Sequence, residues 1–183
     1  MDLNVHKILR GSRANGPGLR NVVWVQGCTL RCPGCFNPLT HDPKAGKQYT
    51  AEAVCNELLS ADTLCEGITI SGGEPFQQPE ALAELLNLLR RKNSPPILVF
   101  SGYTGTELRS DPLFAPILTN VDALICGPYR KDLPPAYNRF CSSENQELIL
   151  LSDRYTEADF RDLPLSEVFI DPQGAAEFSG IQI

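Results

Sequence analysis

The chain lacks any long hydrophobic run. Its longest apolar stretches, such as 148–151, fall far below the roughly 18 residues a membrane-crossing helix needs, so no membrane partner is expected. Its start, Met1-Asp2-Leu3-Asn4-Val5-His6-Lys7, has no apolar stretch resembling a secretory signal, which points to a cytoplasmic protein whose thiols are kept reduced. Repeats, low-complexity tracts and Gly/Ser/Pro-rich linkers are missing, and 183 residues suffice for one continuous core but not two ordinary ones. A single domain over 1–183 is therefore expected. Histidine is scarce: His6 and His41 are lone imidazoles in polar surroundings, expected to be solvated. Positive charge is also in deficit, with 16 Lys and Arg against 22 Asp and Glu, and no nucleic-acid partner is expected.

What positive charge there is lies early. Residues 1–50 carry seven Lys or Arg against two Asp or Glu, a balance of +5, which leaves the rest of the chain at 9 minus 20, or -11. Such a basic segment is either ordinary surface variation or a lure for an acidic electron donor.

Cysteine is the residue in excess. Seven cysteines in a reducing compartment suggest metal before disulfides, and the odd count and irregular spacing weaken a disulfide framework further. Three of them fall in the run Gly27-Cys28-Thr29-Leu30-Arg31-Cys32-Pro33-Gly34-Cys35-Phe36-Asn37. Closely spaced cysteines on a loop can curl round a 4Fe-4S cube, and Gly27 and Gly34 let backbone amides approach the sulfurs. Three thiolates leave one iron open to a small molecule. The alternative is a zinc site completed by His41, Cys55, Cys65, Cys126 or Cys141, but structural zinc sites usually pair two CxxC units and a second unit is missing.

Short β-branched or apolar runs predict strands at 21–26, 67–71, 97–101, 121–126 and 146–151, with a fainter sixth at 167–170. Helical patterns occupy 50–60 and 79–92, the latter with Leu82, Leu85, Leu86 and Leu89 on one stripe and Pro79 in the first turn. Thr104-Gly105-Thr106-Glu107 reads as a capping box, and Thr156-Glu157-Ala158-Asp159 as a similar helix start. Alternating strands and helices predict an α/β fold with a mainly parallel sheet. The cysteine run, Ser71-Gly72-Gly73-Glu74-Pro75 and Ser101-Gly102-Tyr103 then all follow strands, at the rim where ligands collect in such sheets.

The C-x3-C-x2-C run after the first of these strands, with Gly-Gly-Glu-Pro after the second, resembles the radical S-adenosylmethionine (SAM) enzymes. The resemblance implies a partial, open (β/α) barrel in which Cys28, Cys32 and Cys35 bind three irons. The amino and carboxylate groups of SAM would chelate the fourth, and one electron would cleave SAM to methionine and a 5'-deoxyadenosyl radical. Gly72 and Gly73 would let backbone pass close to the methionine ammonium, Glu74 or adjacent carbonyls would accept its protons, and Pro75 would stiffen the turn. Ser101, Gly102 and Tyr103 would touch the adenosyl group or line the substrate entry, with packing the alternative for Tyr103. In the superfamily an aromatic often precedes the third cysteine; here that place is Gly34, and Phe36 follows instead, either as a cofactor contact by position or as part of the core.

From about residue 15 to 151 the chain further resembles the activating proteins of anaerobic ribonucleoside-triphosphate reductase. The shared pieces include Asn15-Gly16-Pro17-Gly18-Leu19-Arg20, Phe100-Ser101-Gly102-Tyr103 and Ser142-Ser143-Glu144-Asn145-Gln146. What this implies is an activase making a glycyl radical on that reductase, fed by flavodoxin or ferredoxin. The activase of pyruvate formate-lyase shares the Gly-Pro-Gly segment. Other readings are a radical SAM enzyme acting on a peptide or small metabolite, and a non-catalytic iron-sulfur carrier with Cys126 or Cys141 as fourth ligand. Cys126-Gly127 replaces the usual Asp-Gly turn, and the segment 152–183 is additional, either adding a strand or covering the sheet edge. Cys55, Cys65 and Trp24 are expected to pack in the core, and Arg20 either pairs with a carboxylate of SAM or the partner or is solvated.

Overall fold

The computed structural model describes residues 1–35, 37–60, 64–136, 138–170 and 173–181. Its centre is four parallel strands, β2 (Arg20–Val25), β4 (Gly67–Gly72), β5 (Ile97–Ser101) and β6 (Ala123–Cys126), adjacent in that order. Three antiparallel strands extend it: β1 (Asp2–Ser12) beside β2, β3 (Lys47–Thr50) beside β1, and β7 (Glu147–Leu150) beside β6. The result is an open seven-stranded sheet, β3-β1-β2-β4-β5-β6-β7.

The crossovers place helices on one face. Helix α1 (Ala51–Leu58) starts at Thr50, whose side chain accepts the Ala53 amide at 3.1 Å. Helix α2 (Pro79–Arg91) buries the predicted stripe of Leu82, Leu85, Leu86 and Leu89 completely, each contributing about 1.5–3 kcal/mol. The predicted capping box is present at α3 (Gly105–Ser110), where Thr104 and Glu107 exchange hydrogen bonds, and α4 (Ala115–Leu118) completes the layer. Val23, Val25, Ile68, Ile70, Ile97 and Val99 point into this helical layer. The alternate residues Leu98, Ala123 and Ile125 point to the other face, where Phe140, Tyr155, Phe160 and Ile181 cover them.

Several elements differ from expectation. Strand β1 had no predicted counterpart because irregularities between Val5 and Lys7 and between Leu9 and Ser12 break its alternation. The strand at 146–151 returns antiparallel, since the described residues of 127–146 supply no crossover helix. The sixth strand, β8 (Ser166–Ile170), does not extend the main sheet; it pairs with β9 (Ala176–Gly180) in a separate hairpin. The second predicted helix start opens only a 3-10 turn, Glu157–Phe160, although Thr156 and Asp159 form its capping box. Among the described residues no helix is long and apolar enough to cross a membrane.

Candidate metal and cofactor site

The chain leaves β2 at Val25 into the cysteine loop, and backbone hydrogen bonds fix the loop from two sides. Above, Gly27 N donates to Thr40 O at 2.8 Å and Cys28 N to His41 O at 3.2 Å, while the buried Gln26 amide donates to Leu39 O and Asp42 O. Below, Gly73 N donates to Val25 O at 2.8 Å and Glu74 N to Gly27 O at 2.9 Å. Gln77 adds a side-chain tie, accepting from Thr29 N at 3.0 Å and donating to Thr29 Oγ1 at 2.7 Å.

This docking explains the paired glycines. A Cβ on Gly72, at φ +114°, would collide with the Val25 backbone, and one on Gly73 would collide with the Gly27 carbonyl. Both positions serve the fit between strand end and cysteine loop, a packing role beside the one expected of them toward a ligand.

Cys28, Cys32 and Cys35 are free, partly exposed, and line one cavity. Burial pushes the Cys28 and Cys35 thiols up, against backbone hydrogen bonds that include Asn37 N to Cys35 Sγ at 3.4 Å. Among the described residues no three His, Cys, Asp or Glu side chains converge on a point that would hold one ion. Each thiolate around a cube reaches a different iron, so thiols spread along a cavity wall fit that group, and bound metal would favour the thiolates that burial disfavours.

Glu74 provides the second test of fit. Its carboxylate is fully buried and accepts from Phe76 N at 3.0 Å, Ser101 Oγ at 2.9 Å and Gly102 N at 2.6 Å. Those donors use three of its roughly four acceptor sites, and all are neutral. Burial outweighs them and pushes the carboxyl up to about 7. A carboxylate at the cavity wall with neutral partners and one acceptor site to spare suits an ammonium group.

Ser71, Gly72, Gly73, Ser101 and Gly102 line the same cavity, so the three motifs do share one rim. Pro75 is buried at the start of a 3-10 turn, a place where it stiffens the chain, and does not line the cavity. Phe36 lies outside the described residues. Tyr103 packs instead, with its ring 6.1 Å from Phe114 and its hydroxyl accepting from Gln77 at 3.2 Å.

Cys126 and Cys141, each a proposed fourth ligand for an electron carrier, are buried and do not line the cavity; burial pushes the Cys126 thiol to about 11. Cys55, on α1, packs in the core as expected, whereas Cys65 is only partly buried and lies outside it. Arg20 neither meets a carboxylate nor reaches solvent. It is fully buried, donating to Thr69 Oγ1 at 2.6 Å, Pro17 O at 2.8 Å, Tyr155 Oη at 2.7 Å and Ile68 O at 2.5 Å.

The cavity also takes residues that are not among the expected SAM contacts. Trp24, read as core, and His41, read as solvated, both line it, as do Asn15, Gln146, Gly180 and Ile181. Trp24 alternates with Val23 and Val25, which face the helices, so strand parity was the available signal. No local pattern announces Gly180 or Ile181, which arrive from the C-terminal hairpin.

Residues 14–149 match the model of a family described as the 4Fe-4S single cluster domain. The chain is 30% identical over 151 residues to the anaerobic ribonucleoside-triphosphate reductase-activating protein of Escherichia coli K12, covering 79% of this chain and 96% of that one. It is 39% identical over 103 residues to the pyruvate formate-lyase-activating enzyme of Clostridium pasteurianum, covering 54% of this chain but only 43% of that enzyme. Among solved structures, QueE from Escherichia coli overlaps with a TM-score of 0.48 and 17% identity, over 57% of this chain and 54% of that one.

Proposed function

The chain belongs to the 4Fe-4S single cluster domain family, alongside the anaerobic ribonucleoside-triphosphate reductase-activating proteins, and from that membership we propose that it is a radical SAM activase. In this reading Cys28, Cys32 and Cys35 hold three irons of a 4Fe-4S cluster, and Gly72, Gly73, Glu74, Ser101 and Gly102 border SAM. Bound there, the cluster and SAM would supply the one-electron cleavage of SAM to methionine and a 5'-deoxyadenosyl radical, which would take a hydrogen atom from a glycine Cα of a partner enzyme to give 5'-deoxyadenosine and a glycyl radical.

The observation that carries the reading is the placement of three free thiols and a buried carboxylate lacking a cationic partner on one cavity wall. The residues' own tasks follow from it. Gly73 holds the cysteine loop in register, Glu74 offers its spare acceptor site to the methionine ammonium, and Ser101 and Gly102 orient that carboxylate.

The partner we propose is anaerobic ribonucleoside-triphosphate reductase, because the match spans 96% of its activating protein but 43% of the pyruvate formate-lyase counterpart. Residues 15–151 form the core of a single domain curved as a partial barrel, acting in the cytoplasm. The basic balance of residues 1–50, which include the cysteine loop, suits flavodoxin or ferredoxin as an acidic electron donor. Incubating reduced protein and SAM with the reductase tests the proposal: a glycyl doublet in the electron paramagnetic resonance spectrum is expected, and its absence under conditions where SAM is cleaved would redirect the search to another substrate.

A further inference from the structure

The C-terminal hairpin lies beyond the family-matched stretch, yet it is tied to the core beside the cavity. Glu167 accepts from Ser12 Oγ, from Arg13 N at 2.9 Å and from Ala14 N at 3.4 Å, and Asn15 Nδ2 donates to Ser179 Oγ at 2.7 Å. Glu177 pairs with Lys7, whose ammonium sits 5.6 Å from the centre of the Trp24 ring. These ties hold β9 alongside β1 and β2 and leave a groove between them, lined by His6, Lys7, Trp24, Glu177 and Phe178. Trp24, Asn37 and Gly180 line both this groove and the cysteine cavity, so the two spaces adjoin.

We propose that this groove receives the extended, glycine-bearing segment of the partner enzyme and leads it to the cavity, with Phe178 as its outer anchor. The inference rests on the activase reading and adds the route by which a protein substrate enters. Three observations favour an extended polypeptide. The groove is continuous with the cavity where the hydrogen atom would be removed. It offers two aromatic rings, Trp24 and Phe178, flanked by the Lys7–Glu177 pair, a setting suited to a peptide's apolar side chains. Phe178 is 66% exposed, an expensive position for a large aromatic, and among the described residues β9 has a strand partner on one edge only.

The test uses a fluorescently labelled peptide copying the glycine-radical segment of an anaerobic ribonucleoside-triphosphate reductase, with binding to the reconstituted full chain followed by anisotropy. Phe178→Asp is expected to weaken binding about tenfold or more, as loss of an aromatic anchor does. Ile170→Asp, an equal change at an exposed hairpin position that does not line the groove, is expected to stay within about twofold. Unchanged binding in Phe178→Asp, or equal weakening in both variants, would overturn the groove assignment. Formation of 5'-deoxyadenosine without peptide separates the two claims: if the wild-type chain cleaves SAM and Phe178→Asp binds peptide normally, only the groove is wrong. If the wild-type chain does not cleave SAM, the activase reading falls and the groove falls with it.

Discussion

The Glu74 carboxylate accepts the Gly102 backbone N–H at 2.6 Å, joining the carboxyl end of β4 to that of β5 across 28 residues of sequence. Ser101 completes the tie from the same strand end at 2.9 Å. One buried side chain thus sets the spacing of two motifs that border the cavity.

Replacing Glu74 by Gln should flatten a pH dependence of stability. The folded carboxyl titrates near 7, above its ordinary value of 4.5, so the native state holds a proton through that window which the unfolded chain releases. Stability from this group is greatest below about 4.5 and is lost as pH rises through 7, by on the order of 3 kcal/mol. Urea unfolding of metal-free protein at pH 5 and pH 8 should show that loss in the wild type and a smaller one in Glu74→Gln. Equal slopes would mean that the carboxylate is not buried as described.

Gly73→Ala should displace the cysteine loop. The new methyl group would run into the Gly27 carbonyl and come within 3.0 Å of Thr40 O, and neither backbone atom can swing away. A stability loss of roughly 2–4 kcal/mol is expected, together with reduced iron incorporation on anaerobic reconstitution. Full iron loading with an unchanged melting temperature would contradict the packing role.

Tyr155→Phe should destabilise the chain without weakening SAM binding. It removes one hydrogen-bond acceptor from the buried Arg20 guanidinium, whose remaining direct partners are neutral oxygens, and neither residue lines the cavity. A cost of about 1–3 kcal/mol is expected in denaturant unfolding. A fall in SAM affinity of the folded protein would instead place Arg20 in the site.

Cys28→Ala, Cys32→Ala and Cys35→Ala should each lower iron content and abolish SAM cleavage, while Cys55→Ala and Cys141→Ala should keep both. The first three thiols line the cavity and the latter two are buried away from it. Loss of iron in Cys141→Ala would revive a fourth protein ligand.

Much of this arrangement was legible in the sequence, for identifiable reasons. Strands buried on both faces give continuous apolar runs, so 97–101 was placed to the residue and 21–26 within one position. The irregular β1 and the short, exposed β3 leave no such run. The cysteine spacing and the Gly-Gly-Glu run are local, and so were readable. That Glu74 clasps Ser101 and Gly102, that Arg20 draws on Tyr155 from the additional segment, and that Ile181 lines the cavity are contacts between distant residues. Position along the chain carries no trace of them.

The most direct test of the central claim, a cube held by three protein thiolates with SAM on its open iron, is electron-nuclear double resonance of the reduced cluster with SAM labelled by 15N at its amino group. The account predicts hyperfine coupling between the label and the cluster in the wild type, with the cluster itself missing in Cys32→Ala. A reduced cluster that forms normally and shows no coupling to the label would contradict it.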